Sequence, residues 1–202
     1  MALRTLIHAC LLNRFVPRYN QMAGEVKQRL IGGVSGDVLE IGAGTGANFA
    51  YLPGDVRWTG CDPNPDGWRY CRRGAAAAGI EADWRTAGAE QLPFDAGRFD
   101  AVVSTLTLCS VRSPEAALEE VLRVLKPGGT FIFLEHVAAQ EPSPLLRWQR
   151  LWAPVFGALA GCRPHQDTAR LIGEAGFSSL DVERLTLPLP VVGPHAAGRA
   201  IK

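Results

Sequence analysis

A glycine-rich turn directly after a short apolar segment constrains the fold of this chain more than any other feature of its sequence. Residues 37–41 have the length and type of a buried strand, and Gly42, Gly44 and Gly46 follow at alternate positions. Glycine permits a positive φ angle and, having no Cβ, lets the backbone approach a ligand closely. The pattern predicts a strand that turns sharply into a helix, which we expect over residues 47–52, ahead of Pro53.

An acidic residue, Asp62, follows the next expected strand, residues 56–61. An acid at this place can accept hydrogen bonds from both hydroxyls of a ribose, so the unit predicts a nucleoside pocket. The glycine spacing is G-x-G-x-G, and Ala47 stands where the third glycine of a dinucleotide loop would be. A dinucleotide cofactor and a glycine turn without a ligand are the less favoured alternatives.

Length, charge and cysteine content limit the classes of function. The 202 residues suit one α/β domain, and 21 Lys and Arg against 20 Asp and Glu give a net charge of +1, which offers no electrostatic basis for a nucleic-acid partner. The scattered cysteines predict reduced thiols in a cytoplasmic protein; they are Cys10, Cys61, Cys71, Cys109 and Cys162. Neither Cys-x-x-Cys nor His-x-x-x-His spacing occurs, so we expect no metal ion.

The first 34 residues are expected to form lid helices. Apolar residues between positions 3 and 15 fall at helical spacing with cationic residues between them, which predicts a short amphipathic helix. This segment is too short and too interrupted to span a bilayer, and it lacks a clear cleavage site. We favour a lid in which Tyr19 and Asn20 close over a cofactor, and a helix in peripheral contact with a membrane is the alternative.

Short apolar runs alternate with helical segments in the rest of the chain, which favours a mainly parallel sheet with helices on both faces. The expected strands are residues 37–41, 56–61, 81–86, 99–105, 129–135, 180–186 and 197–201. Residues 126–129, Lys-Pro-Gly-Gly, are expected to stop a helix and form a turn before the fifth strand. We expect a single domain over residues 35–202, with an acceptor-side insertion at about 138–165.

Ligands of open α/β sheets bind at the carboxyl ends of the parallel strands. Residues 106–111 and 135–136, at the ends of the fourth and fifth expected strands, should therefore face the glycine turn. An antiparallel last strand would begin on the same side, which places His195 at the rim of the cleft. Trp148 and Trp152, four residues apart, would share a helix face that is either ordinary core or the apolar wall of a substrate pocket.

The pattern E-x-G-x-G-T-G over residues 40–46 resembles the signature of class I S-adenosylmethionine-dependent methyltransferases. Five further stretches narrow the resemblance: GTGANF at 44–49, DPNP at 62–65, TLCSV at 107–111, EHVAA at 135–139 and PH at 194–195. Together they resemble the methyltransferase-like thiol S-methyltransferases over about residues 17–202. Animal members reside on endoplasmic reticulum and lipid-droplet membranes through a longer hydrophobic anchor that is absent here. We therefore expect a soluble, bacterial relative.

The resemblance implies a Rossmann-like class I fold whose seven-stranded sheet is mostly parallel with an antiparallel last strand. It implies S-adenosyl-L-methionine as the cofactor, S-adenosyl-L-homocysteine as its product, and no metal. The implied cofactor-binding residues are Glu40, Gly42, Ala43, Gly44, Gly46, Asn48, Asp62, Pro63, Asn64, Gly88, Ala89, Glu90, Thr107, Leu108, Cys109 and Tyr19. Gly88 stands where many class I enzymes carry an acid for the adenine amino group, so backbone groups near Ala89 and Glu90 are expected to hold the adenine.

The implied activity is methyl transfer to a small-molecule thiol by in-line displacement. A thiol with a pKa near 8.5 is a few per cent thiolate at neutral pH, so a modest base would suffice. His136 is the first candidate for that base and His195 the second, with a histidine that only bonds the backbone as the structural alternative. The candidate acceptor-binding residues are Trp148, Trp152, His165 and Ser110. Cys109 is expected to line the donor channel rather than act as a nucleophile.

Two other functions remain open from the sequence. One is N-methylation of a phospholipid amine, or C- or O-methylation of a quinone or natural-product acceptor, and the cationic amphipathic start of the chain would suit a lipid. The other is a non-catalytic regulatory protein that binds the cofactor, because the glycine turn and Asp62 argue only for binding.

Overall fold

The computed structural model describes the backbone of residues 2–202, together with the side chains of residues 16–202 except residue 160. The helices are α1 (Ala2–Ile31), α2 (Trp68–Ala78), α3 (Pro114–Val124), α4 (Pro144–Ala160) and α5 (Thr168–Glu174). The strands are β1 (Asp37–Ile41), β2 (Arg57–Cys61), β3 (Glu81–Arg85), β4 (Phe99–Thr105), β5 (Leu125–His136), β6 (Ser179–Thr186) and β7 (Pro194–Ile201). Two short 3₁₀ turns, Phe49–Tyr51 and Pro65–Gly67, lie on either side of β2.

The seven strands form one sheet in the order β3-β2-β1-β4-β5-β7-β6. Neighbours from β3 to β5 pair in parallel, whereas β7 is antiparallel to both β5 and β6. The chain order reverses at β1, so the carboxyl ends of β1 and β4 border the crevice in which such sheets bind ligands. The predicted Rossmann-like fold class is confirmed.

Alternate strand positions face two separate cores, one on each face of the sheet. On one face Val38 of β1 lies in a buried cluster that includes Leu30 of α1 and Cys71 of α2. On the other face Leu39 shares a cluster with Leu118 of α3 and with residues of α5. Helices therefore cover both faces of the sheet, as predicted.

The predicted helix over residues 47–52 is wrong. Turns occupy this segment, followed by the 3₁₀ turn Phe49–Tyr51. The Asn48 side chain does not cap a helix. It donates instead to Glu40 Oε1 at 2.9 Å and to Thr105 Oγ1 at 3.1 Å. These contacts to β1 and β4, together with Pro53, leave too little chain for an α-helix.

The predicted turn at residues 126–129 is also wrong, since these residues lie inside β5, which begins directly after α3. The pairing of β4 with β5 shifts between Phe99 and Ala101, and Gly128 has a φ of +74°. A bulge with a glycine at positive φ absorbs the Lys-Pro-Gly-Gly run without ending the strand.

The N-terminal segment is one helix, α1, with Pro17 inside it, rather than several helices. The short amphipathic helix predicted for residues 3–15 concerns side chains outside the described residues. From Tyr19 onwards α1 packs on the domain, and Tyr19, Ala23 and Ile31 are buried in the same core as Val38. Among the helices described, none combines the length and the apolar character needed to cross a membrane.

Candidate cofactor and acceptor site

The turn after β1 has the backbone that its glycines predicted. The φ angles of Gly42, Gly44 and Gly46 are +63°, +52° and +77°. A Cβ on Gly42 would lie 2.2 Å from Thr107 Oγ1, and one on Gly46 would lie 2.6 Å from the Phe49 ring. A Cβ on Gly44 would meet only a carbonyl oxygen at 3.8 Å. The outer two glycines are thus required by contacts within the protein, whereas Gly44 borders open space in which a ligand can lie.

We expect Gly42→Ala to lower the free energy of unfolding by more than the roughly 1–3 kcal/mol that positive φ alone costs a residue with a Cβ. The excess arises from the clash with Thr107. Gly79→Ala is the matched control, because Gly79 has a φ of +69° but no atom within 4 Å of its added Cβ. Urea denaturation of both variants measures the difference, and equal losses would contradict the steric explanation.

Asp62 lies just past the end of β2, and hydrogen bonds within the protein fix its side chain. Its Oδ2 accepts the Gly44 N–H at 3.0 Å, and its Oδ1 accepts the Asn64 N–H at 2.8 Å. A carboxylate has about four acceptor positions, so each oxygen keeps one for a further donor. Pro63 and Asn64 are exposed beside it. This arrangement suits the pair of hydroxyls of a ribose.

Glu40 is buried next to the glycine turn, with both oxygens bonded to the protein. Oε1 accepts from Asn48 and Oε2 accepts from Trp58 Nε1, each at 2.9 Å. Burial raises the pKa of Glu40 to about 7, against the opposing hydrogen bond from Trp58 and the charge of Lys27. Glu40 of β1 therefore joins Trp58 of β2 to Asn48 in the turn.

Lys27 of α1 is 1% exposed, which is rare for a lysine. Its Nζ donates to Asn20 Oδ1 at 2.7 Å and lies 5.3 and 5.5 Å from the ring centres of Tyr19 and Tyr51. Burial lowers the pKa of Lys27 to about 8, while the charge of Glu40 opposes that shift. The N-terminal helix thus contributes a buried cation to the side of the site formed by the glycine turn.

The loop after β4 is tied to β5 through Glu135, which is fully buried. Its Oε1 accepts from Ser104 Oγ at 2.6 Å and from the Thr107 N–H at 3.0 Å. Thr107 Oγ1 in turn donates to Ile41 O at 3.2 Å. Burial raises the pKa of Glu135, and these two donors oppose the shift. The network fixes the loop that carries Thr107 against the end of β1.

The remaining predicted cofactor residues line the same end of the sheet. Ala43, Ala89 and Leu108 are buried, and Gly88 and Glu90 are partly buried in the loop after β3. Glu90 Oε1 accepts the Arg112 N–H at 2.7 Å, which joins this loop to the loop after β4.

The two predicted catalytic histidines are neighbours in the sheet, since His136 of β5 pairs with His195 of β7. Their ring centres are 6.4 Å apart, and the Tyr19 ring lies 5.7 Å from that of His195. His195 lies at the start of β7 beside the carboxyl end of β5, where the topology predicted it, and its side chain is 1% exposed. The side chain is buried because β7 begins at Pro194 and includes His195 in the sheet. Its Nδ1 lies 2.8 Å from Gly193 O, and burial lowers its pKa to about 4.

Beside His136 lie two buried thiols. His136 Nε2 is 2.7 Å from Cys162 Sγ, and the ligand atoms of Cys109, His136 and Cys162 all lie within 4.8 Å of one another. The neighbouring Cys162 sulfur and burial raise the pKa of Cys109 well above its ordinary value. Such a thiol is a poor nucleophile, in keeping with the predicted passive role of Cys109.

The predicted acceptor-binding residues are more exposed than the rest of the site. Trp148 and Trp152 on α4 are 53% and 42% exposed, which excludes the ordinary-core alternative. Ser110 and His165 are exposed on the loops that follow β4 and α4, and Ser110 Oγ lies 3.4 Å from Cys109 Sγ. Their roles in acceptor binding stay predictions.

For four residues that support the site, the sequence predicted no such role. Lys27, Glu135 and Cys162 have no local spacing pattern that marks them. Gly67 follows the 3₁₀ turn after Asp62, and a Cβ there would lie 2.0 Å from the Gly44 carbonyl oxygen. Only Gly67, in the DPNPDG run, carried a signal that could have been read, because a glycine after two prolines favours a close backbone contact.

Residues 39–133 match the methyltransferase domain family. The chain is also 39% identical over 178 residues to the human thiol S-methyltransferase TMT1B, across 84% of this chain and 73% of that protein. It belongs to the thiol S-methyltransferase family. Human TMT1A is 37% identical to this methyltransferase over 205 residues, which cover 95% of this chain and 84% of the relative.

Solved structures agree on the fold of this methyltransferase. An S-adenosylmethionine-dependent methyltransferase from Methanosarcina mazei superposes with a TM-score of 0.63 at 23% identity, over 82% of this chain and 92% of the other. Sequence kinship and fold together establish an S-adenosylmethionine-dependent methyltransferase.

The site residues fit S-adenosylmethionine. Asp62 has free acceptor positions for the ribose, and Gly44 leaves the space that a side chain would occupy. Within the described part of the chain, Asn48 Oδ1 and Glu135 Oε2 are buried oxygens without a hydrogen-bond partner. Buried oxygens of this kind commonly bond a ligand or an ordered water.

Proposed function

We propose that this methyltransferase transfers a methyl group from S-adenosylmethionine to the sulfur of a small-molecule thiol. The observation that carries the proposal is the kinship with the thiol S-methyltransferases. The match extends over most of the chain and is not limited to the cofactor-binding half.

S-Adenosylmethionine supplies an electrophilic methyl group on a positively charged sulfur. The enzyme has to align the acceptor behind that methyl group and exclude water from it. Leu108 and Val137 are 0% and 1% exposed at the ends of β4 and β5. His195 is neutral at pH 7, because its pKa lies near 4. The buried surroundings of the two strand ends are suited to exclude water from the methyl group.

A thiol becomes a strong nucleophile only as the thiolate. Burial raises the pKa of Cys61 and of Cys71 to about 12 in this protein. An acceptor thiol in similarly apolar surroundings would also be held protonated, so the site needs a group that removes or replaces the proton. His136 is the better of the two proposed bases, since His195 with its low pKa is a weak one.

We further propose that the acceptor enters beside α4 and the loop after it. Trp148 and Trp152 present apolar surface on α4. Ser110 and His165 are exposed on two loops that the side chain of Arg163 joins. Aromatic rings combined with a few polar groups are the usual lining of small-molecule sites.

A labelled-methyl assay over a panel of acceptors tests the proposed function. We expect labelled thioethers from small alkyl and aryl thiols, with rates that rise as the pH approaches the pKa of each thiol. The matched control for each thiol is the alcohol of the same shape, whose hydroxyl is far less acidic and should give no product.

Three outcomes would contradict the thiol acceptor. Label found only in phospholipid amines would favour a lipid N-methyltransferase, and label only in phenols or quinones would favour C- or O-methylation. Cofactor binding without product from any acceptor would favour a regulatory protein.

A further inference from the structure

The cluster of Cys109, His136 and Cys162 combines three side chains from three separate parts of the chain. Cys109 lies in the loop after β4, His136 ends β5, and Cys162 follows α4. All three are buried, at 2%, 4% and 8% exposure. Their ligand atoms lie within 4.8 Å of one another. Cysteine and histidine are among the most frequent ligands of Zn²⁺ in proteins.

Hydrogen bonds that do not involve the three cluster side chains hold these segments together. The Arg163 N–H donates to Cys109 O at 3.0 Å, and the Arg163 guanidinium donates to the carbonyls of Val111 and Arg112. The side-chain Nε2 of Gln166 donates to Leu108 O at 3.0 Å, and the backbone carbonyl of Gln166 accepts the Ala138 N–H at 2.9 Å. The loop after α4 is thereby fixed to the ends of β4 and β5, so the cluster is a preformed arrangement.

The spacing of the cluster suits a tetrahedral ion. Zn–S bonds of about 2.3 Å and Zn–N bonds of about 2.0–2.1 Å put neighbouring ligand atoms roughly 3.5–3.8 Å apart. The 2.7 Å contact between His136 Nε2 and Cys162 Sγ would have to open by about 1 Å, which a small side-chain rotation can supply. Three protein ligands and one open position are typical of catalytic zinc sites, whereas structural sites use four protein ligands.

We propose that Cys109, His136 and Cys162 bind one Zn²⁺-class ion and leave its fourth position for the sulfur of the methyl acceptor. The binding of the metal stands on the cluster alone. Its role toward the acceptor rests on the proposed thiol methyltransferase function. The ion would lower the pKa of the bound thiol and so supply the stabilisation for which a base was otherwise needed. His136 would then be a ligand and not a base.

The step balances without a change of oxidation state. Cys109 and Cys162 release their thiol protons to solvent when the ion binds, and the acceptor thiol releases its proton when it coordinates. The acceptor sulfur donates an electron pair to the methyl carbon and forms the new bond. The bond from that carbon to the sulfonium sulfur breaks, and its electron pair stays on the leaving sulfur. The neutral thioether then dissociates from the ion.

Metal content of the purified full chain tests the site directly. After loading with Zn²⁺ and extensive dialysis, we expect about one zinc per chain by mass spectrometry of the metal. Cys162→Ser and Cys109→Ser should each reduce this to about a tenth or less. Cys71→Ser is the matched control, a buried free thiol outside the cluster, and should retain the metal. Replacement by Co²⁺ should add thiolate-to-metal charge-transfer absorption that Cys162→Ser abolishes.

A reduced wild-type protein that retains no zinc after loading would overturn the site. Equal retention of zinc by Cys162→Ser would also overturn it. So would a protein isolated with a disulfide between Cys109 and Cys162 that binds no metal once the disulfide has been reduced and zinc has been added again. Melting curves separate loss of a ligand from loss of the fold, and His136→Gln serves if Cys109→Ser does not fold. These measurements use neither cofactor nor acceptor, so their failure is distinguishable from failure of the thiol assay.

Discussion

Asp62→Ala is expected to weaken the binding of S-adenosylmethionine by about 10²–10⁴-fold. The ribose would lose two hydrogen bonds to a charged acceptor, each worth about 1.5–3 kcal/mol. The substitution also removes the partner of the Gly44 and Asn64 N–H groups, so the turn loses a support on the ligand side. Isothermal titration calorimetry with the cofactor and with S-adenosylhomocysteine measures the loss.

Two further variants separate the causes of that loss. Asp62→Asn keeps one acceptor oxygen without the charge and should fall between wild type and Asp62→Ala. Asp66→Ala removes an exposed acid from the same segment and should bind as wild type does. Unchanged affinity in Asp62→Ala would refute the assignment of Asp62 to the ribose.

Lys27→Met is expected to destabilise the protein by about 1–3 kcal/mol at pH 7.5, where both Lys27 and Glu40 are mostly charged. The substitution leaves Asn20 Oδ1 without its donor and removes the positive charge that lowers the pKa of the buried Glu40. The loss should shrink as the pH falls. Glu40 has a folded-state pKa of about 7, above its ordinary 4.5. Its contribution to stability is therefore fully present below about pH 4.5 and is lost as the pH rises through 7.

The matched control for Lys27→Met is the double variant Lys27→Met/Glu40→Gln, which removes both charges. We expect it to recover part of the stability at pH 7.5 and to lose the difference between pH 5 and pH 7.5. Urea unfolding at the two pH values measures both effects. A loss that is the same at both pH values, or a double variant no more stable than the single one, would show that the two charges do not interact.

The conformation of the glycine turn beside Asp62 could be predicted because its parts are close together in the sequence. The glycine turn and Asp62 belong to one strand-turn-strand unit, and the positive φ angles found at Gly42, Gly44 and Gly46 follow from residue type alone. The wrong prediction of a helix over residues 47–52 shows the limit of that reasoning. The partners of Asn48 are Glu40 and Thr105, and Thr105 lies on a different strand.

The cluster of Cys109, His136 and Cys162 could not be predicted in the same way, because it depends on contacts between distant segments. Sequence motifs for metal ligands combine residues that are a few positions apart, so they do not detect Cys109 and Cys162. These two residues are brought together by the hydrogen bond from the Arg163 N–H to Cys109 O. Lys27 has no signal either, since a lysine in a helix is normally solvated. Its burial follows from the packing of α1 on the glycine turn.

The packing of α1 also affects how this enzyme can be altered by evolution or by design. Tyr19, Ala23 and Ile31 share a core with Phe49 and Trp58, so the expected boundary at residue 34 does not separate two modules. Deleting the helix would uncover the neighbourhood of the glycine turn and would not yield a smaller working enzyme. Substitutions in the second half of α1 and around the turn should therefore be coupled in their effects on stability.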